Sequence, residues 1–173
     1  MSKFLVLTII ADDKPGIVET LSATIAAQNG NWLESRLTKL AGKFAGFVQV
    51  SIASDNIPAL QSELAALSNQ GISVLIQEND SDNVTQSEKH IKLTIIGLDR
   101  PGIVKELSSA FVSHQLNVVD MHSFTESAAM SAEELFKAEV DLAVQTGIDQ
   151  DKFNEEIEAI CNELDLDWTL TEK

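Results

Sequence analysis

The sequence holds a single cysteine, Cys161, among its 173 residues. One cysteine cannot close a disulfide within the chain, and it excludes a zinc site built from several cysteines. Cys161 follows Ile160 on the apolar side of an acidic helical segment, where negative neighbours disfavour a thiolate. We therefore predict that Cys161 packs in the core and is not a nucleophile.

Basic residues are also scarce. The 12 lysines and arginines are outnumbered by 27 aspartates and glutamates, which gives a formal net charge of −15. Binding to nucleic-acid phosphates requires clustered basic side chains, and an anionic membrane surface attracts the same kind of cluster. The charge therefore predicts a protein that binds neither nucleic acid nor a membrane directly.

Long apolar runs are missing as well. The apolar run near the N-terminus, Phe4–Ile10, has seven residues and is followed closely by Asp12 and Asp13. A transmembrane helix needs about 20 apolar residues, and a signal peptide needs a longer apolar region and a cleavage site. We therefore expect a cytoplasmic protein.

What the sequence does contain is a duplication. Residues 7–22 read LTIIADDKPGIVETLS and residues 93–108 read LTIIGLDRPGIVKELS, with eleven identities in sixteen positions. The offset is 86 throughout, and the same offset pairs Asn31 with Asn117. Repetition of this density predicts two copies of one structural unit.

The two copies predict two domains in tandem. We place them at residues 1–79 and 89–173, joined by the polar linker 80–88. Apolar periodicity and turn residues in each copy follow the order βαββαβ. This order predicts an α+β, ferredoxin-like fold, in which a four-stranded antiparallel sheet carries two helices on one face.

Three local features of the copies lead to further expectations. Pro15 and Pro101 suit the first turn of a helix, where a missing N–H costs nothing, so we expect helices to begin there. Glu126–Glu134 predicts an extended loop between the middle strands of the second copy. Phe4–Ile10 is apolar on both faces while helices cover only one, so we expect the other face to be covered by the other copy of the repeat or by another chain. We predict a pseudo-dimeric monomer that forms a homodimer.

The turn before the first helix of each copy has chemistry that suits an amino acid. The first N–H groups of a helix lack intrahelical partners and favour a carboxylate. An aspartate beside them can accept hydrogen bonds from an ammonium group, and an asparagine amide can donate and accept. The candidate ligand-binding residues are Asp13, Pro15, Gly16, Ile17 and Asn31, and in the second copy Asp99, Pro101, Gly102, Ile103 and Asn117. The same residues also suit ordinary helix caps and turns.

The motif Asp-x-Pro-Gly-Ile-Val after a strand, with an asparagine eighteen residues beyond the aspartate, resembles that of ACT domains. It occurs at residues 13–18 with Asn31 and at residues 99–104 with Asn117. The resemblance implies ferredoxin-like modules that bind amino acids at this turn, often between two domains, and regulate an associated protein. A tandem pair of this length is similar to ACT repressors of glycine cleavage. The implied ligand is a small amino acid such as glycine, and the implied partner of so acidic a chain is a transcription activator protein.

Other functions remain compatible with the sequence. Asp120 and His122 lie two apart on one predicted strand, which allows a His–carboxylate pair for acid–base catalysis, although no nucleophile accompanies them. A ligand-free ACT scaffold would instead use its apolar sheet faces. The acidic segment Gln150–Asp167 suits a solvated helix face or a docking surface for a basic regulator. We expect no catalytic residues, no metal site and no cofactor.

Overall fold

A computed structural model describes residues 1–79, 89–113, 115–128, 133–144 and 150–172. The chain divides into two units, Met1–Asn83 and Val84–Lys173. The linker predicted at residues 80–88 lies outside the described residues.

The first unit alternates strands and helices in the predicted order. Its elements are β1 (Ser2–Asp12), α1 (Ile17–Ala27), β2 (Asn31–Leu40), β3 (Lys43–Ala53), α2 (Ile57–Ala66) and β4 (Ile72–Asn79). The strands form one antiparallel sheet in the order β2-β3-β1-β4. Pro58 lies in the first turn of α2, where its missing N–H is tolerated.

The hairpin between β2 and β3 closes through the two residues Ala41 and Gly42. Their φ angles are 49° and 78°, and Leu40 pairs with Lys43 across the turn. Positive φ at both central residues is typical of the type I′ turn, whose twist matches that of the flanking strands. A tight hairpin therefore joins the two middle strands of the predicted βαββαβ order.

The core of the first unit lies between the sheet and its two helices. Leu5, Leu7 and Ile9 alternate along β1 and are at most 1% exposed. Helix α1 contributes side chains at a spacing of four residues, Ile17, Leu21 and Ile25, and α2 contributes Ile57, Leu60 and Leu64. The helices therefore cover one face of this sheet, and the alternate residues of β1 point to the other, open face.

The second unit repeats this architecture. Its elements are β5 (Lys89–Leu98), α3 (Ile103–Ser113), β6 (Asn117–Ser127), β7 (Glu134–Val144), α4 (Gln150–Glu163) and β8 (Asp167–Glu172). The strand order β6-β7-β5-β8 is equivalent to that of the first sheet, and all pairs are antiparallel. The predicted α+β, ferredoxin-like fold is therefore confirmed in both units.

The single cysteine lies in the core of the second unit. Cys161 is fully buried on α4, in one apolar cluster with Phe153 and Ile157 of the same helix. Burial raises the pKa of the Cys161 thiol to about 11, because a thiolate would lose its hydration there. The thiol is therefore protonated at neutral pH, in agreement with the predicted packing role.

The first helix of each unit begins later than predicted. Pro15 and Pro101 lie in turns, and the helices start at Ile17 and Ile103. The intervening glycine is the physical reason: Gly16 has a φ of 91°, a left-handed conformation that cannot continue a helix back to the proline. The prediction that the helices begin at the prolines was wrong by two residues.

The loop predicted at Glu126–Glu134 is shorter than expected. Strand β6 extends to Ser127 and β7 begins at Glu134, and these two residues are paired across the hairpin. The Ser127 hydroxyl donates a 2.5 Å hydrogen bond to the Glu134 carboxylate, which adds to the main-chain ladder at this point. Residues 129–132 lie outside the described residues.

Candidate functional site

The first β–α turn, residues 13–16, is fixed to three other segments of its unit. The Asp13 main-chain N–H donates a 2.9 Å hydrogen bond to the Gly42 carbonyl of the hairpin. The Asp13 carboxylate forms an ion pair with Lys39, and the Lys14 ammonium donates a 2.6 Å hydrogen bond to the Gln70 carbonyl. These contacts hold the turn in place before any ligand arrives.

Helix α1 begins directly after this turn, at Ile17. Gly16 is the N-cap, and no side chain caps the first N–H groups of the helix. The Thr20 N–H is the first to be satisfied within the helix, by a 2.9 Å hydrogen bond to the Gly16 carbonyl. The N–H groups before it carry the positive end of the helix dipole and favour an anion.

A cavity of about 230 Å³ lies beside this helix terminus. Its lining residues are Asp13, Lys14, Gly16, Ile17, Val18, Glu19 and Phe44. Three of the predicted residues, Asp13, Gly16 and Ile17, therefore meet at one cavity, and Pro15 lies exposed within the same turn. The cavity joins uncapped helix N–H groups and an ammonium with two carboxylates.

Asn31 does not belong to this cavity. It opens β2 opposite Ser51, and Ser51 pairs in turn with Phe4 at the far end of β1. Phe4 and Asp12 are eight steps apart along β1, a distance of about 26 Å at the usual rise of a strand. The structure therefore does not bring Asn31 and Asp13 of one unit together.

Asn31 is not the helix stop either. The left-handed residue after α1 is Asn29, with a φ of 55°, and its equivalent after α3 is Gln115, with a φ of 57°. Asn117 opens β6 opposite Ala143, whose partner on β5 is His90. Asn117 is thus as far from the second β–α turn as Asn31 is from the first.

The second β–α turn, residues 99–102, has the same main-chain frame. The Asp99 N–H donates a 2.9 Å hydrogen bond to the Glu134 carbonyl of the β6–β7 hairpin. Gly102 has a φ of 93°, and Ile103 is 4% exposed at the start of α3. Pro101 is exposed, as Pro15 is in the first turn.

The side chains at the second turn are arranged differently. The Arg100 guanidinium lies 2.5 Å from the Glu106 carboxylate in the first turn of α3. The other Glu106 oxygen comes within 3.9 Å of the position that a Cβ would take on Gly102. Hydrogen bonding within the pair lowers the pKa of Glu106 and raises that of Arg100. A carboxylate of the protein thus lies at this helix N-terminus.

A groove of about 790 Å³ starts at Gly102 and runs between α3 and α4. Its lining residues are Gly102, Lys105, Glu106, Ser109, Ala110, Ser113, Ala159, Ile160, Glu163 and Leu164. The groove is several times larger than the cavity at the first turn, and Asp99 is not part of its lining. The two turns are therefore unequal in shape as well as in charge.

The residues of the enzyme alternative lie on the open face of the second sheet. His122 is exposed, with its ring 5.5 Å from that of Phe124, and it lies opposite Glu139 on β7. The Glu139 carboxylate is held 2.5 Å from the Lys92 ammonium. A general base needs a partner that converges on a substrate cavity, and none of the cavities described above includes His122.

Two absences hold for the part of the chain that the structure describes. No group of three or more His, Cys, Asp or Glu side chains there is arranged to hold a metal ion. No helix among the same residues is long and apolar enough to cross a membrane.

The sequence patterns missed the side chains that give each turn its charge. Lys39 and Phe44 reach the first turn through the β2–β3 hairpin, so only the tertiary fold reveals them. Lys14 and Arg100 occupy the variable position of the Asp-x-Pro-Gly motif, and Glu106 follows its motif by two residues. A comparison of the two copies position by position could have found these three.

Comparison with known proteins shows a similarity to ACT domains in the first unit. Residues 3–76 match the family model of the ACT domain. The glycine cleavage system transcriptional repressors of Escherichia coli strain K12 and Shigella flexneri are each 20% identical over 168 residues, which cover 96% of this chain and 88% of each repressor. The resemblance that the duplicated motif predicts is thereby confirmed.

Two solved structures share the fold over the whole chain. A crystal structure of a protein of unknown function from Galdieria sulphuraria superposes with a TM-score of 0.80 at 22% identity, covering 100% of this chain and 99% of that one. A protein assigned as a glycine cleavage system transcriptional repressor superposes with a TM-score of 0.75 at 19% identity, covering 99% and 97%. At these identities the likeness shows a common fold over both units.

Proposed function

We propose that this protein is an amino-acid-responsive regulator that represses transcription of the glycine cleavage system in the cytoplasm. In this proposal it binds a small amino acid, with glycine the first candidate, and acts by contact with a transcription activator. It catalyses no reaction. The likeness to the two repressors supports the regulatory role, and the cavity at the first β–α turn supports the amino-acid site.

The cavity at the first turn carries the proposal because its chemistry matches both ends of an amino acid. The uncapped N–H groups of α1 and the Lys14 ammonium suit the ligand carboxylate. Asp13 and Glu19 suit the ligand ammonium, since a carboxylate accepts strong hydrogen bonds from a cation. Phe44 supplies an apolar wall.

The size of the cavity supports a small ligand. A volume of about 230 Å³ is below the range of about 300–1,000 Å³ that is usual for drug-sized ligands. Glycine, alanine and serine have few atoms beyond the zwitterion itself, so the two charged ends account for most of their contacts. We expect a long or aromatic side chain to reduce binding.

The charge of the protein supports an activator, rather than DNA, as its target. The net charge is −15, and α4 carries Asp151, Glu155, Glu156, Glu158 and Glu163 with Lys152 as its one basic residue. Complementary charge speeds the encounter of an acidic protein with a basic one. A DNA-binding activator has the basic surface that such a helix would attract.

The open face of the first sheet supports a homodimer. Thr8 in the centre of this face is flanked by Phe47 on β3 and Leu75 on β4. The Phe47 and Leu75 side chains are 56% and 60% exposed, and Ile10 on the same face is 51% exposed. Apolar side chains grouped in this way are typical of an interface.

The equivalent face of the second sheet is charged. Thr94, the counterpart of Thr8, is flanked by Glu139 and Thr169, and Glu139 pairs with Lys92. Burial of this ion pair against an apolar surface would cost its hydration. The apolar face of the first sheet therefore suits the same apolar face in a second copy of the chain. A two-fold symmetric dimer would bring these two identical faces together.

A melting experiment followed by a pull-down tests the proposed function. Each of the twenty amino acids is added to the purified protein, and glycine, alanine or serine should give the largest rise in the melting temperature, because a ligand of the folded state stabilises it. An activator of glycine cleavage genes should then be retained by the protein in an amino-acid-dependent manner. Retention of duplex DNA by the protein alone at physiological salt would contradict the proposal.

A ligand-free adaptor is the second candidate, and the apolar face around Phe47 and Leu75 favours it. An adaptor would bind its partner through this face whether or not an amino acid is present. Phe47→Asp would then abolish partner binding while Asp13→Ala left it intact, and no amino acid would change the melting temperature. For the proposed regulator, Asp13→Ala should instead abolish the amino-acid-dependent binding of the partner.

A further inference from the structure

The two β–α turns differ at several positions that bear on an anion site. Glu19 of α1 corresponds to Lys105 of α3, and Thr20 corresponds to Glu106, which lies beside the cation of its turn. At the offset of 86, Lys14 corresponds to Arg100, so both turns have a cation. Thr20 corresponds to Glu106, so a carboxylate is present in the first turn of α3 and absent from the same position of α1. Both side chains are half-buried, which makes the two environments comparable.

The Glu106 carboxylate lies where the second turn would receive an anion. One oxygen is 2.5 Å from the Arg100 guanidinium, and the other is within 3.9 Å of the Cβ position of Gly102, the residue that precedes α3. The carboxylate therefore pairs with the guanidinium and lies close to Gly102, the residue that precedes α3. The corresponding cation of the first turn, Lys14, bonds instead to a neutral carbonyl, that of Gln70.

An internal carboxylate competes with the carboxylate of a ligand. A ligand entering the second turn would have to displace Glu106 from Arg100 or share the guanidinium with it, and two like charges at one cation repel each other. At the first turn the entering carboxylate meets Lys14 and uncapped N–H groups without displacing a carboxylate from Lys14. The first β–α turn has carboxylates of its own, Asp13 and Glu19, but its cation Lys14 bonds to a neutral carbonyl. At the second β–α turn the guanidinium of Arg100 is already paired with the Glu106 carboxylate.

We infer that Glu106 closes the second β–α turn to amino acids, so that each chain binds one amino acid, at the first turn. This inference rests on the proposed function, because it concerns which of two equivalent turns binds the ligand. The first unit then binds the amino acid, and the second unit has the same fold but binds no ligand.

Exchange of the two side chains tests the inference. The amino acid with the largest melting shift, starting from glycine, is titrated by calorimetry into the wild type, Glu106→Thr and Thr20→Glu. We expect one ligand per chain for the wild type, two for Glu106→Thr, and at least a tenfold loss of affinity for Thr20→Glu. Glu163→Gln removes a carboxylate that lines the same groove away from Gly102, and it should leave one ligand per chain.

In the Glu106→Thr variant, the second ligand should bind at the second β–α turn, residues 99–102. Adding Asp99→Ala to that variant should return the stoichiometry to one, and adding Asp13→Ala should remove the other ligand. Two ligands per wild-type chain, or one per Glu106→Thr chain, would overturn the inference and leave the proposed function intact. The absence of binding to the wild type and to every variant would overturn the proposed function itself.

Discussion

The main-chain N–H of Asp13 donates a 2.9 Å hydrogen bond to the carbonyl oxygen of Gly42, which ties the first β–α turn to the tip of the β2–β3 hairpin. Because this bond uses the backbone, it survives replacement of the Asp13 side chain. The lost ion pair with Lys39 is solvent-exposed, and such pairs contribute under about 1 kcal/mol. The Asp13 carboxylate can therefore be removed without removing the fold.

The first prediction concerns Asp13→Ala. We expect a change of only a few degrees in the melting temperature without ligand, on the order expected for a loss below about 1 kcal/mol. Affinity for the amino acid should fall at least about tenfold, because a hydrogen bond to a charged group contributes about 1.5–3 kcal/mol. Calorimetry measures the affinity. Asp99→Ala, the same change at the second turn, is the control and should bind as the wild type does.

The second prediction concerns Asn31. Asn31 and Asp13 lie at opposite ends of the first sheet, whose strand β1 spans about 26 Å between Phe4 and Asp12. Asn31→Ala should therefore leave the affinity for the amino acid within about twofold of the wild-type value, which is under about 0.5 kcal/mol. Titration of the variant under the same conditions provides the measurement. A large loss of affinity would refute a site confined to the first turn and would mean that a second copy of the chain supplies Asn31.

The third prediction concerns the open face of the first sheet. Leu75→Asp places a charge in the centre of the proposed dimer interface, where it would be buried without a partner, so the dimer should dissociate. Analytical ultracentrifugation should show a dimer for the wild type and a monomer for this variant. Thr169→Asp makes the same change at the equivalent position of the second sheet and should remain dimeric. A monomeric wild type would disprove the interface.

The fourth prediction compares two glycines of the β2–β3 hairpin. A Cβ on Gly46 would lie 1.9 Å from the Arg36 carbonyl oxygen, at a φ of 152°. Gly46→Ala should therefore reduce the free energy of unfolding by about 3 kcal/mol or more, at the upper end of ordinary substitutions. A Cβ on Gly42 meets no atom within 4 Å, so Gly42→Ala should cost only about 1–2 kcal/mol for its left-handed backbone. Urea unfolding distinguishes the two, and equal losses would argue against this packing.

The fifth prediction concerns Cys161. The folded-state pKa of about 11 exceeds the value near 8.5 of an exposed thiol, so the folded state holds this proton more tightly than the unfolded state does. The resulting stabilisation is complete below about pH 8.5 and is lost as the pH rises towards 11. Unfolding measured from pH 8 to 11 should show a steeper loss for the wild type than for Cys161→Ala. Parallel losses would contradict a buried, protonated thiol.

The fold could be predicted from the sequence because each local pattern agreed with the whole. Apolar periodicity and turn residues predicted the same order of strands and helices in both copies. Because Phe4–Ile10 is apolar on both faces, only the structure shows that Leu5, Leu7 and Ile9 face the helices. The start of α1 was misplaced because Pro15 favours a helical first turn while Gly16 adopts a left-handed conformation. The preference of Pro15 for the first turn of a helix was therefore outweighed by the left-handed conformation of Gly16.

The candidate site was less predictable, because the spacing of two residues along the chain does not show whether they lie close together in the fold. Asp13 and Asn31 are eighteen positions apart in sequence, but helix α1 lies between them and they end at opposite ends of the sheet. Lys39 reaches Asp13 only because the hairpin returns to the first turn. The sequence shows that Thr20 of the first copy corresponds to Glu106 of the second. Only the structure shows that Glu106 pairs with Arg100.

Calorimetric titration of the wild-type protein with glycine, alanine and serine tests the central claim most directly. The account predicts a saturable heat for at least one of them, with one ligand per chain and a matching rise in the melting temperature. Flat heats for all three, together with an unchanged melting temperature at high concentrations of all twenty amino acids, would contradict the claim that the first β–α turn is an amino-acid site.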